Sequence, residues 1–246
     1  MSEKIKEKTA DRLYIVGVGP GDPELITLKA CKILSRVPVI FVPQRDESTP
    51  SYARSIIDGL CKGSEQKIIS LIFPMVRDKA KLVEHWEKAA ETIRESLSQG
   101  QDCAFVNEGD PYLFGTAIHV LETLRETHPE IEITVVPGVS SINASAAQAG
   151  FPLAVNEEKI AILSGHCEDR VIRQTLENFD TVVFLKVNSV FGHLLDILEE
   201  AGLAEKCIYI SRCTTEEERI VRNIRELKGE KLDYLSLLIM KKQNGG

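Results

Sequence analysis

The sequence predicts an α/β protein of two lobes, and three observations carry that prediction. Short apolar runs alternate with longer amphipathic ones through the first 150 or so residues, the character shifts near 150–158, and three apolar runs end in glycine-bearing turns. Regular alternation of strand and helix indicates a parallel sheet covered by helices.

The first lobe is taken as 12–152. Strands are expected at Leu13–Val18, Val39–Val42, Lys67–Ile72, Cys103–Val106 and Glu132–Val136, with helices at about 24–36, 51–62, 78–99, 113–127 and 140–149. The helix near 78–99 shows why: apolar or small residues recur at 80, 82, 83, 86, 89, 90, 93 and 97, a helical stripe that stops at Gly100. The stretch AGFPLAVNEE at 149–158 carries Gly150 and Pro152, closes on polar residues, and reads as a boundary. The second lobe, 153–246, is smaller, with strands near 159–163, 181–186, 206–211 and 234–240 and helices at 168–177 and 189–201. Segment 216–227 fits either strands across a turn or a short helix, so this lobe reads as α/β with a mixed sheet. The charged opening, residues 1–11, is expected to be a flexible tail rather than a secretory signal.

Bulk properties narrow the function. The chain has 246 residues, 43% hydrophobic and 27% charged, and no apolar run approaches the roughly 18 residues of a membrane span. A net charge of −7 argues against nucleic acid and anionic membranes as partners. The six cysteines, Cys31, Cys61, Cys103, Cys167, Cys207 and Cys213, form no CxxC pair and are expected to be reduced and buried in a cytoplasmic protein. Among five histidines only His166 has a cysteine neighbour, Cys167, so no metal site is expected.

The three turns are VGVGPGDP at 16–23, VNEGDP at 106–111 and VVPGVSS at 135–141. In an open parallel sheet, ligands bind beyond the carboxyl ends of the strands, so these turns point to one small-molecule site. Two phosphate readings fail. A P-loop needs GxxxxGK[ST], and five positions after Gly17 stands Asp22 with no lysine behind it. The dinucleotide fingerprint GxGxxG also needs glycine at 22, where Asp22 would set a negative charge beside the helix amides meant for pyrophosphate.

Segments GVGPGDPELITLKA at 17–30, EGDPYLFGT at 108–116 and VPGVSSINASAAQAGFPL at 136–153, followed by TVVFLKVNSV at 181–190, resemble the hallmark segments of the tetrapyrrole methylase family. The resemblance spans nearly the whole chain and implies two α/β lobes with S-adenosylmethionine bound in the cleft between them. Its strongest likeness is to members that methylate C-20 of precorrin-2 or its cobalt form (cobalt-precorrin-2, cobalt-factor II) in cobalamin synthesis. It also implies a cytoplasmic homodimer. Other acceptors used within the family, and a cofactor-binding module without turnover, stand as alternatives.

By the same resemblance Pro20 borders the cofactor or substrate. Glu108, Gly109 and Asp110 align with the cofactor-binding segment, and Leu113 packs against the cofactor. Ser140 and Ser141 meet its adenosine or methionine portion, and Lys186 and Cys213 line its adenine pocket. Plainer readings stand beside these. Asp110 can cap a helix starting near 112, Ser140 and Ser141 can cap the next helix, and Lys186 can be a solvated strand-end lysine. The Cys213 position often holds glycine in the family, which weakens a side-chain role there. Arg45, Arg77, Lys79 and Arg212 near strand ends are candidates to hold substrate carboxylates, or else simple surface charges. No His/Asp pair or paired carboxylates mark a base, and no catalytic residue is nominated.

Overall fold

The protein was analysed as a computed structural model that describes residues 12–60, 66–76 and 78–242. The tail at 1–11, Cys61 and Arg77 lie outside the described residues. The chain divides into two compact units, Met1–Ser140 and Ser141–Gly246.

The first unit runs β1 (Arg12–Gly17), α1 (Leu28–Leu34), β2 (Val39–Gln44), α2 (Tyr52–Ile57), β3 (Lys67–Ile72), α3 (Lys79–Leu97), β4 (Cys103–Asn107), α4 (Ala117–Thr127) and β5 (Glu132–Val136). All five strands are parallel, in the order β3-β2-β4-β1-β5. Parallel strands need crossover connections, and the helices of those crossovers cover both faces. Side chains therefore alternate between two cores. Leu13, Ile15, Phe41 and Phe105 pack with α3 and α4 residues such as Ile93 and Leu124. Tyr14, Val16, Ile40 and Val106 pack on the other face with α1 and α2 residues such as Leu34 and Ile57.

Two helices start later than their periodicity suggests, for local reasons. Asp22 accepts a hydrogen bond from the Glu24 N–H and closes a single 3-10 turn, Pro23–Leu25. The backbone then extends, and the Thr27 hydroxyl caps α1 by accepting from Ala30 N–H at 3.2 Å. The second case is α4, expected from 113 and found from Ala117, because Phe114 takes a left-handed φ of 55° that no helix can propagate.

The second unit contains α5 (Ser141–Gln148), β6 (Ile160–Ser164), α6 (Asp169–Asn178), β7 (Thr181–Leu185), α7 (Phe191–Glu200), β8 (Cys207–Ser211), β9 (Arg219–Val221) and β10 (Ser236–Lys241). Its sheet runs β6-β7-β10-β8-β9, with β6 and β7 parallel and the other pairs antiparallel. Segment 216–227 holds both β9 and a 3-10 turn at Ile224–Leu227, so each of its two readings describes part of it. One core joins Val182, Phe184, Tyr209 and Leu238 of the strands to Ile172 of α6 and to Phe191 and Leu195 of α7. Helix α5, read with the first lobe from sequence, clusters with this unit, where Arg222 donates to the Ala149 carbonyl at 2.7 Å.

Lys241, at the end of β10, is 1% exposed and donates to Glu158 Oε2 at 2.8 Å and to the Pro152 carbonyl at 3.0 Å. A buried ammonium needs such partners, and their loss strands it. The hydrogen bond from Lys241, helped by Val155 N–H, holds the Glu158 carboxyl below its ordinary 4.5. A depressed folded value gives stability that is complete above the unfolded value and lost as pH falls through the folded one. Glu158→Gln should therefore lower Tm at neutral pH and flatten the acid limb of Tm against pH below about 4.5. Calorimetry of both proteins from pH 3 to 7 checks this, and parallel curves would exclude the pair as a contributor.

Candidate functional site

The sheet order β4-β1-β5 makes the three glycine turns neighbours at one edge, since each follows the carboxyl end of its strand. Main chain meets main chain there. A Cβ on Gly138 would stand 2.2 Å from the Gly109 carbonyl oxygen and 2.9 Å from Gly17 Cα. A Cβ on Gly17 would lie 2.6 Å from Gly138 N. The first two turns are also bridged: Gly109 N–H donates to the Gly19 carbonyl at 2.8 Å, and Val18 N–H to the Asn107 carbonyl at 2.9 Å. Both bridging glycines have positive φ, 81° at Gly19 and 64° at Gly109, where a side chain would be strained.

Asp110 ties the second turn to the third. Its Oδ2 accepts from Gly138 N–H at 3.1 Å and its Oδ1 from Tyr112 N–H at 2.9 Å. The latter is a turn within the loop rather than a cap, since α4 begins only at Ala117. That helix start is served by Asn107, a buried residue that sequence reading missed. Its Oδ1 accepts from Ala117 N–H at 3.2 Å, and its Nδ2 donates to the carbonyls of Glu108 at 2.6 Å and Asp110 at 3.3 Å. Gly115 must remain glycine to admit this amide, because a Cβ would lie 2.7 Å from Asn107 Oδ1. A polar residue closing an apolar strand just before EGDP, with a glycine eight positions on, was the available signal.

Helix α2 clamps the same edge. The Tyr52 hydroxyl donates to the Pro20 carbonyl at 2.9 Å, and Ala53 N–H reaches the Glu108 carboxyl. Burial pushes that carboxyl above its ordinary value, against the opposing pull of the Ala53 hydrogen bond.

The first unit thus brings together Pro20, Glu108, Gly109 and Asp110, with half-buried Leu113 one turn on, its N–H donating to Asp110 O at 3.3 Å. Ser140 closes this unit, two residues after Gly138. Ser141, Lys186 and Cys213 belong to the second. There Ser141 is the first residue of α5, while Lys186 and Cys213 follow the carboxyl ends of β7 and β8. Lys186 is half-buried with a left-handed φ of 57°. Burial pushes the Cys213 thiol up to about 11, opposed by the Ser145 hydroxyl. A thiol held protonated in this way is a poor nucleophile.

Of the four candidate cations, Arg77 lies outside the described residues and Lys79 is exposed at the start of α3. Arg45 pairs with Asp46 at 2.8 Å and donates to the Thr49 hydroxyl at 3.0 Å. Arg212, in the second unit, is held by Asp233 at 2.7 Å and Glu217 at 2.8 Å. Among the described residues no group of three or more histidine, cysteine or acidic side chains is arranged to hold a metal ion, and no helix is long and apolar enough to cross a membrane.

The family model for tetrapyrrole (corrin/porphyrin) methylases matches residues 12–228. The chain belongs to that family. It is 35% identical over 242 residues to a probable cobalt-precorrin-2 C(20)-methyltransferase of Methanocaldococcus jannaschii, covering 96% of this chain and 98% of the relative. It is 32% identical to the cobalt-precorrin-2 C(20)-methyltransferase of Salmonella typhimurium, covering 94% and 97%. A solved structure, the uroporphyrin-III C-methyltransferase of Thermus thermophilus complexed with S-adenosyl homocysteine, superposes with a TM-score of 0.66. That pair is 25% identical and covers 94% of this chain and 97% of the other.

Proposed function

We propose that this chain transfers a methyl group from S-adenosylmethionine to C-20 of precorrin-2 or its cobalt form, in cobalamin synthesis. The observation that carries the reading is the edge where Gly17, Gly109 and Gly138 meet without side chains, under turns locked by Asp110 and Asn107. Turns packed this closely bring their remaining main-chain N–H and C=O groups to one edge, where they can meet the ammonium, carboxylate, ribose and adenine groups of the ligand. Relatives matched over nearly the full length share that activity by name, which favours C-20 over other acceptors and over a module without turnover.

Bound S-adenosylmethionine supplies an electrophilic methyl carbon on a sulfonium, ready for direct displacement by an electron-rich macrocycle carbon. The protein's task is alignment and exclusion of water. Asp110 has both oxygens committed to backbone N–H groups, so its first duty is to fix the second turn against the third. Tyr52 and Ala53 fix the first and second turns from the α2 side. Lys186 and Cys213 are assigned to the adenine end of the cofactor, and Ser140 and Ser141 to its methionine or adenosine portion. The reading includes a cytoplasmic homodimer, for which light scattering on the purified protein is the check.

Incubation with carbon-13 methyl S-adenosylmethionine and precorrin-2, with and without cobalt, tests the proposal. A labelled methyl at C-20 is expected. Label at another carbon would reassign the acceptor, and S-adenosylhomocysteine binding with no label on either macrocycle would mark a binding module.

A further inference from the structure

The turn that forms the cradle also exposes two aromatic rings, Tyr112 at 56% and Phe114 at 43%. Phe114 is the costlier placement. Its φ of 55° lies where glycine and asparagine sit readily and a bulky residue does not. Burial does not compensate, since nearly half the residue faces solvent. Strain of this kind persists where the surroundings over-determine it, and here they do: Asp110 and Asn107 pin the turn before Phe114, and Gly115 packs under the Asn107 amide after it.

Next to this turn, on the neighbouring strand β2, the following loop holds Arg45 rigid through Asp46 and Thr49. One strand further, the segment after β3 exposes Met75 and Val76. The edge from β4 to β3 therefore presents aromatic, cationic and apolar groups in sequence. A flat apolar ring system rimmed with carboxylates is the complement of that arrangement.

We infer that the Phe114 ring is a contact surface for the tetrapyrrole macrocycle, held outward by the same turn that cradles the cofactor. The inference rests on the methyltransferase reading above. An acceptor carbon must come within bonding reach of the transferred methyl, so the macrocycle has to lie alongside the cofactor turns. Phe114 meets that requirement because only three residues separate it from Asp110.

Phe114→Gly removes the ring and relieves the backbone at once, so a structural and a functional role predict opposite results. The wild type is assayed first with precorrin-2 and its cobalt form. Absence of methylation there would sink the methyltransferase reading, and this inference with it. With wild-type turnover in hand, Phe114→Gly should keep or raise Tm, leave the S-adenosylhomocysteine Kd within about twofold, and raise the macrocycle KM at least about tenfold. Phe114→Asn should behave alike, and Phe114→Tyr should restore KM. An unchanged KM would overturn the inference. So would a loss of S-adenosylhomocysteine affinity matching the rise in KM, or a collapse of Tm in both variants, which would show the ring to be structural.

Discussion

Gly138→Ala is expected to weaken S-adenosylhomocysteine binding roughly a hundredfold while leaving most of the chain folded. The added methyl would sit 2.2 Å from the Gly109 carbonyl oxygen and 2.9 Å from Gly17 Cα. Both neighbours are main chain, so no rotamer change relieves the overlap, and one turn must move away from the other two. Overpacking of this kind costs about 1–3 kcal/mol, and several degrees of Tm in a chain of this size. The larger effect falls on affinity, since displacement of about 1 Å at a positioned site is worth roughly a hundredfold. Titration calorimetry reads the affinity and a thermal scan the stability. A control sharpens the comparison: Gly192 in α7 has nothing within 4 Å of its added Cβ. Gly192→Ala should stabilise by about 0.5–1 kcal/mol through helix propensity and leave binding intact. Wild-type affinity in Gly138→Ala would mean that the ligand does not use this edge.

Asn107→Leu is the second large expected effect. Asn107 is 3% exposed, and its amide serves three backbone groups: Ala117 N–H and the carbonyls of Glu108 and Asp110. A leucine is close in size and serves none of them. Each buried polar group left without a partner costs about 1–3 kcal/mol, so the loss is several kcal/mol, concentrated on the turn and the first residues of α4. Asn107→Asp distinguishes volume from chemistry. It keeps the acceptor for Ala117 and turns the donor into an oxygen facing two carbonyls. Both variants should bind S-adenosylhomocysteine at least about tenfold more weakly than wild type, with faster amide exchange at 108–117 than in β5. Equal protection and equal affinity in Asn107→Asp would show that the turn holds without that donor.

The strands were the most legible part of the chain, because each is a short run dominated by apolar, often β-branched residues. β3, for example, lies at Lys67–Ile72 as expected. Helix starts were less legible. Periodicity marks which residues face a core but not where the first turn can form, and α1 and α4 begin where Thr27 caps and where Phe114 stops blocking. The three turns stood out by their glycines, and their adjacency follows from the strand order β4-β1-β5. What pattern could not supply was the contact between Gly17, Gly109 and Gly138, or the part played by Asn107. Those depend on the approach of segments about 30 to 120 residues apart in the chain.

The meeting of three glycines has a consequence for how such a chain can change over time. Gly17 and Gly138 each have another segment's main chain where a Cβ would stand, so neither segment can drift without the turn it touches. A side chain at either position must be answered by a shift of backbone rather than by a second substitution, because the atoms in the way belong to main chain.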